Sequence, residues 1–165
     1  MPALVLLALL ACTGEEADSA DSADTAVADT SPPTGPGTLS VSVKMDSDMV
    51  DDLVADGESA NALVNGSVFA EADVNAASGP VDGAVSLGDF SVTVDLSVEG
   101  GPSAVIYTTD PLEPQIVYIL GCMDTDNNAD CGDKGDPVTI PATNKAQVLP
   151  EVDTPFTMVF GLRRP

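Results

Sequence analysis

From Thr38 onward, apolar and polar residues alternate with a period of two, which is the pattern of a β-strand with one buried face. The clearest run covers residues 90–98, where every second residue is apolar and the residues between are serine, threonine or aspartate. Two further runs, residues 104–108 and 116–120, are almost continuously apolar and are predicted to be central strands. Weaker strand patterns occupy residues 39–45, 62–74, 138–140, 146–149 and 156–160.

Glycine, proline and aspartate punctuate these runs at turn-like intervals, for example at residues 79–80 and 153–155. About seven or eight short strands within residues 38–165 predict an all-β domain, an antiparallel β-sandwich of immunoglobulin-like or transthyretin-like type. Residues 48–55 (DMVDDLVA) fit either a short helix capped by Ser47 or Asp48, or an acidic loop.

The chain begins with an apolar run at residues 3–11. This run is far shorter than the roughly 20 residues that cross a bilayer, but it has the length of the apolar part of a secretion signal. It ends in LLAC (residues 9–12), which resembles the lipobox of bacterial lipoproteins. The resemblance implies a signal peptide over residues 1–11 and a lipidated Cys12 that anchors the mature protein in a membrane. Thr13 does not match the aspartate of inner-membrane lipoproteins, which implies the outer membrane; an ordinary cleaved signal is the alternative.

After Cys12, residues 13–37 repeat Ala-Asp-Ser/Thr units and then become rich in proline and glycine. No apolar side chain in this segment is larger than that of Val27, so it cannot offset the entropy cost of ordering its backbone. We therefore predict that residues 12–37 form a disordered acidic tether between the lipid and the folded domain. The alternative is that the repeated aspartates themselves bind cations.

The charge balance excludes several classes of function. The chain has 27 Asp and Glu against 5 Lys and Arg, a formal net charge of −22. Nucleic acid is excluded as a partner because phosphate binding needs clustered cations. The sequence contains 0 His, which excludes Ser-His-Asp and Cys-His nucleophiles and histidine-based zinc sites. We expect a non-enzymatic protein, with a hydrolase that uses paired carboxylates as the less favoured alternative.

The main candidate chemistry lies in residues 121–137, GCMDTDNNADCGDKGDP. The spacing D-x-D-x-N-x-D resembles the first half of an EF-hand calcium loop, which implies Ca²⁺, an ion that takes about six to eight oxygens at roughly 2.3–2.6 Å. Ala129 stands where that loop has glycine and Gly135 where it has glutamate, and no flanking helices are predicted. A solvated acidic turn is the alternative. The predicted metal ligands are Asp124, Asp126, Asn128, Asp130, Asp133 and Asp136.

Two cysteines bracket the aspartates. With Cys12 assigned to lipid, Cys122 and Cys131 are the remaining pair, and an exported protein meets an oxidising compartment. We predict that they form a disulfide, which would lower the cost of ordering the loop around an ion. The alternatives are reduced cysteines or a soft-metal site, for which two thiolates are too few. Their spacing is not that of a C-x-x-C redox motif.

Together these features predict an exported, lipid-anchored module of the cell envelope, at the outer membrane or cell surface, with a structural or binding role. Its membrane contact is the lipid anchor, and its candidate partner is an envelope protein or polysaccharide. The alternative is an accessory subunit of an adhesion or secretion assembly that adds a strand to a partner through an open sheet edge. Arg163 and Arg164 are predicted to be either a solvated end of the chain or partners for acidic neighbours.

Overall fold

The computed structural model describes residues 32–97, 103–131 and 133–165. Strands account for 48% of these residues and helices for 12%, so the prediction of a mostly β protein is confirmed. The predicted signal peptide, Cys12 and most of the predicted tether lie outside the described residues.

Eleven β-strands and helices follow one another along the described chain. The first half contains β1 (Thr38–Met45), α1 (Ser47–Asp56), β2 (Asn61–Ala70), β3 (Val74–Asn75), β4 (Gly79–Pro80) and β5 (Ser86–Asp95). The second half contains β6 (Tyr107–Thr108), β7 (Ile116–Asp124), β8 (Pro137–Thr139), β9 (Lys145–Gln147) and β10 (Asp153–Arg163). Short 3₁₀ turns, Glu71–Asp73 and Pro141–Thr143, follow β2 and β8.

The predicted helix is present as α1, which is amphipathic and buries Met49, Val50 and Leu53 against the core. Its N-cap is Asp46, and no side chain caps it, so the prediction of Ser47 or Asp48 as the cap is wrong. Asp46 is the N-cap because its backbone is still extended while its carbonyl accepts the first helical N–H groups, those of Met49 and Val50.

Eight of the described strands form one sheet in the order β5-β2-β7-β8-β10-β1-β6, with β9 also paired to β7. Neighbouring strands are antiparallel except β1 and β10, which run parallel with Thr38 opposite Asp153 and Met45 opposite Phe160. The sheet is nearly closed like a barrel. The antiparallel prediction therefore holds for most strand pairs, and a two-layer sandwich is not confirmed.

Alternate residues of the strands point into the interior of this curved sheet, as a period of two requires. The core is aliphatic, with a few methionines and phenylalanines. Its largest fully buried side chains are Phe160, Leu39, Leu53, Ile119, Met123, Met158, Val41, Val43, Val64, Val68, Val117 and Val148.

The run at residues 104–108 does not form a central strand as predicted. Only Tyr107–Thr108 is a strand, it lies at one end of the sheet, and Val105 is 58% exposed. The segment is held to β1 by isolated hydrogen bonds, such as Ile106 N–H to the Val41 carbonyl at 2.8 Å. A continuous apolar run does not by itself distinguish a central strand from an edge, because neighbouring strands decide which faces are covered.

The described chain is already attached to the sheet before β1. The Gly35 N–H donates to the Glu151 carboxylate, and Gly37 exchanges backbone hydrogen bonds with Leu112 at 2.8 and 2.9 Å. These glycines belong to the segment that the sequence assigned to the tether.

Candidate metal centre

Strand β7 delivers the acidic loop to one end of the curved sheet. The strand is paired to β2 up to Asp124, which lies opposite Leu63, and the chain then turns back to β8 at Pro137. Cys122 and Cys131 form the predicted disulfide, with their Cα atoms 5.6 Å apart. The bridge ties the end of the strand to the far side of the loop, so the first loop aspartates lie inside a small covalent ring.

Three of the six predicted ligands come together. Asp124, Asp126 and Asp136 each offer a carboxylate oxygen, and these three atoms lie within 4.8 Å of one another. Asp124 and Asp136 are only 3% exposed, whereas Asp126 is exposed. Carboxylate oxygens at this spacing are the hard ligands that divalent cations such as Ca²⁺ and Mg²⁺ prefer. The group can hold a metal ion.

Backbone donors fix the position of Asp124. Its Oδ1 accepts the Asn128 N–H at 3.2 Å, and its Oδ2 accepts the Ala129 N–H at 2.9 Å. These bonds require the loop to curl tightly over the carboxylate, and Ala129 reaches this position with a φ of 70°, in the left-handed region that favours glycine. It is the residue that stands where the EF-hand loop has glycine.

Asp136 closes the group from the other side. Its Oδ1 accepts the Thr125 N–H at 3.3 Å, but its buried Oδ2 has no hydrogen-bond partner among the residues that the structure describes. Burial raises the pKa of Asp136, hydrogen bonding from the Thr125 and Asp133 backbones and the Thr125 hydroxyl acts in the opposite direction, and the nearby charge of Asp126 raises it further. A buried, unpaired carboxylate oxygen is costly and rare in folded proteins.

None of the salt bridges in the described residues involves these three aspartates. Two like charges about 5 Å apart repel by roughly 3 kcal/mol at an effective dielectric constant of about 20. The local electrostatics therefore favour a cation between Asp124 and Asp136.

The other predicted ligands have different positions. The Asn128 amide nitrogen donates to Asp126 Oδ2 and to Asp133 Oδ2, both at 2.8 Å, and its amide oxygen accepts the Asp130 N–H at 2.7 Å. Asp130 and Asp133 are exposed, and neither belongs to the group of three. Asn128 thus braces the loop and holds Asp133 beside Asp126.

Sequence reasoning missed the residues that surround the group. Thr125 Oγ1 donates to Glu58 Oε2 at 2.9 Å, and Glu58 is bound in turn by Arg163, whose guanidinium also pairs with Asp56. Arg163 is therefore a partner for acidic neighbours, one of the two predicted possibilities, while Arg164 is exposed. No local pattern marks Glu58, because it lies 67 residues from Thr125 in the chain.

The described residues contain no helix that is both long and apolar enough to cross a bilayer. Comparison of the chain with protein-family models, with curated proteins and with solved structures finds no match. The function proposed below therefore rests on the geometry of the acidic loop and the residues around it.

Proposed function

We propose that this protein is a non-enzymatic, lipid-anchored module of the cell envelope whose disulfide-bracketed loop binds a divalent cation, and that this cation is Ca²⁺. The observation that carries the proposal is Asp136: it belongs to a group of three carboxylates, it is 3% exposed, and its Oδ2 has no hydrogen-bond partner in the described part of the chain. A bound cation would satisfy that oxygen and remove the repulsion between Asp136 and Asp124.

Calcium is favoured over other metals by the chemistry of the donors. The chain has 0 His, and the two cysteines nearest the site are joined in a disulfide, so the available ligands are oxygens. The donors come from an irregular loop, and Ca²⁺ accepts irregular geometry with about six to eight oxygens, whereas Mg²⁺ demands a near-ideal octahedron. Waters can complete such a shell.

The ion would have a structural or binding role. It would fix the loop on the end of the β scaffold, and the loop could then present an ordered surface to an envelope protein or polysaccharide. Cys12 would carry the lipid that attaches the protein to the outer membrane or cell surface. For the scaffold, an immunoglobulin-like or transthyretin-like sandwich stays a prediction beyond the mostly antiparallel, nearly closed sheet.

One observation favours the alternative role as an accessory subunit that adds a strand to a partner. Strand β5 lies at one end of the sheet, is 10 residues long and contains neither proline nor lysine, which commonly protect sheet edges; its charges are those of Asp89 and Asp95. A Ser91→Lys variant tests it, since a charge on that exposed edge position should abolish strand addition and leave cation binding unchanged.

Calorimetric titration with Ca²⁺ tests the main proposal. We expect the wild-type protein to bind, and Asp124→Asn and Asp136→Asn to lose at least about tenfold in affinity, because each removes a charged ligand. Asp130→Asn is the matched control: it makes the same change in charge on an exposed residue of the same loop, outside the group of three. Equal affinities for Asp136→Asn and Asp130→Asn would contradict the proposed site.

A further inference from the structure

Arg163, near the end of β10, binds three acceptors at once. Its Nε donates to the Gly135 carbonyl at 2.7 Å, its Nη1 pairs with Asp56, and its Nη2 bridges both oxygens of Glu58 at 2.7 Å. Its side chain is only 22% exposed, so these bonds are partly shielded from water. A planar guanidinium is suited to this arrangement because its donors point in fixed directions.

These contacts reach Asp136 by two routes. The first runs from Arg163 Nε to the carbonyl of Gly135, and beside it the backbone of Arg164 accepts from the Gly135 N–H and donates to the Asp136 carbonyl, both at 2.9 Å. The second runs through Glu58, whose Oε2 accepts the Thr125 hydroxyl at 2.9 Å, to the Thr125 N–H, which donates to Asp136 Oδ1 at 3.3 Å. The first route ties the segment that carries Asp136 to the end of β10, and the second ties Asp136 to Thr125, the residue that follows Asp124.

The backbone of Gly135, the residue directly before Asp136, is intrinsically flexible and benefits from the contact with Arg163. Its φ of 107° is accessible mainly to glycine, and glycine is the residue that loses most conformational freedom on folding. The hydrogen bond from Arg163 to the Gly135 carbonyl restricts the conformation of Gly135 and therefore the position of Asp136, which follows it.

We propose that Arg163 is the positioning residue of the cation site, which sets the place of Asp136 relative to Asp124 through Gly135 and Glu58. This inference rests on the proposed function. Arg163 bonds to none of the three carboxylates, and its charge is offset by Asp56 and Glu58, so it orders the site without occupying the position of the cation. Groups that orient metal ligands in this way commonly contribute about 10–100-fold to metal affinity.

The experiment compares Arg163→Gln with Arg164→Gln in the intact domain. The two variants change the net charge equally at adjacent residues, but Arg164 is exposed and its side chain forms no salt bridge with the described residues, while its backbone bonds to the loop are independent of the side chain. Ca²⁺ affinity is measured by calorimetry, and Tb³⁺ is used as a luminescent substitute whose decay in H₂O and D₂O reports the number of waters on the ion. All titrations are made well below the melting temperature of each variant.

We expect Arg163→Gln to weaken Ca²⁺ binding at least about tenfold and to add about one water to bound Tb³⁺, as loss of the Asp136 ligand would. Arg164→Gln should match the wild-type protein in both measurements. Arg163→Lys should give partial rescue, since lysine keeps the charge and can reach Glu58 but cannot bind three acceptors in one plane. An extra water is the signature that a loss of global stability alone does not produce.

Equal affinity and hydration in Arg163→Gln and Arg164→Gln would overturn the positioning role while leaving the cation site intact. Failure of the wild-type protein to bind either ion would overturn the proposed function itself, and this inference with it. If Arg163→Gln does not fold, Thr125→Val carries the test, because it removes the hydroxyl between Glu58 and Asp136 at nearly constant volume. The same loss of affinity then supports the proposal, and unchanged affinity contradicts it.

Discussion

The ring of Phe90 stacks on the ring of Tyr107, with centroids 5.0 Å apart and an interplanar angle of 25°. The two residues belong to β5 and β6, which occupy opposite ends of the sheet order. The stack therefore bridges the gap in the nearly closed sheet with side chains, where the described strands have no ladder of backbone hydrogen bonds. Aromatic pairs of this kind contribute about 0.5–1.5 kcal/mol beyond their buried area.

Phe90→Ala should open this junction. Phe90 is buried, so we expect a loss of about 3–4 kcal/mol in the free energy of unfolding, measured by chemical denaturation. The same variant should lower the pKa of Tyr107 toward 10.0, because burial first, and then the charges of Asp110 and Asp89, raise it in the folded protein.

Because the pKa of Tyr107 is raised in the folded protein, the contribution of this residue to stability decreases at high pH. A folded pKa above the unfolded value means that the contribution of Tyr107 to stability is present below pH 10.0 and is lost as the pH rises through the folded pKa. Absorbance titration measures the phenol, and Tyr107→Phe identifies its signal. A Tyr107 titration that is identical in wild-type and Phe90→Ala proteins would show that Phe90 does not cover the ring.

Ala129→Gly should stabilise the loop. Ala129 has a φ of 70°, which glycine adopts without the steric cost that an alanine bears, and we expect a gain of up to about 1 kcal/mol in the free energy of unfolding. Ala55→Gly is the matched control, since Ala55 lies within α1 and the same substitution there should cost roughly 0.5–1 kcal/mol. A loss of stability at both positions would mean that Ala129 is not in the left-handed region.

The disulfide should matter for both stability and ion binding. The double variant Cys122→Ser/Cys131→Ser should lose about 2–3 kcal/mol, the value expected for a bridge between residues separated by 9 positions in the chain. Its Ca²⁺ affinity should also fall, because the loop must then be ordered by the ion alone. Chemical denaturation in chelator measures the loss of stability, and calorimetric titration measures the loss of Ca²⁺ affinity. An unchanged affinity would show that the bridge does not preorganise the site.

The sequence predicted those parts of the fold and site that depend on local pattern. Alternation located β1 and β5, the continuous apolar run at residues 116–120 located β7, and the D-x-D-x-N-x-D spacing located Asp124 and Asp126. The parallel pairing of β1 with β10 and the approach of β5 to β6 could not be predicted, because they depend on how distant segments meet rather than on periodicity.

The same limit applies within the candidate site. Asp136 was a candidate because it follows the loop closely in the chain, but its burial and its unpartnered oxygen come from tertiary packing. Asn128 has the expected spacing for a ligand, yet its amide is engaged by Asp126, Asp133 and Asp130. Spacing along the chain gives the order of the oxygens and not the direction in which each one points.

The stability of Asp136→Asn, measured by denaturation in chelator and in Ca²⁺, tests the cation site most directly. In chelator, the variant should be more stable than the wild-type protein by about 1 kcal/mol, because it removes a buried charge that faces like charges. At Ca²⁺ one hundred times the wild-type dissociation constant, the wild-type protein should gain about 2.7 kcal/mol, whereas a variant with at least about tenfold lower affinity should gain no more than about 1.4 kcal/mol, so their order reverses. A wild-type protein with the same stability in both solutions would contradict the cation site.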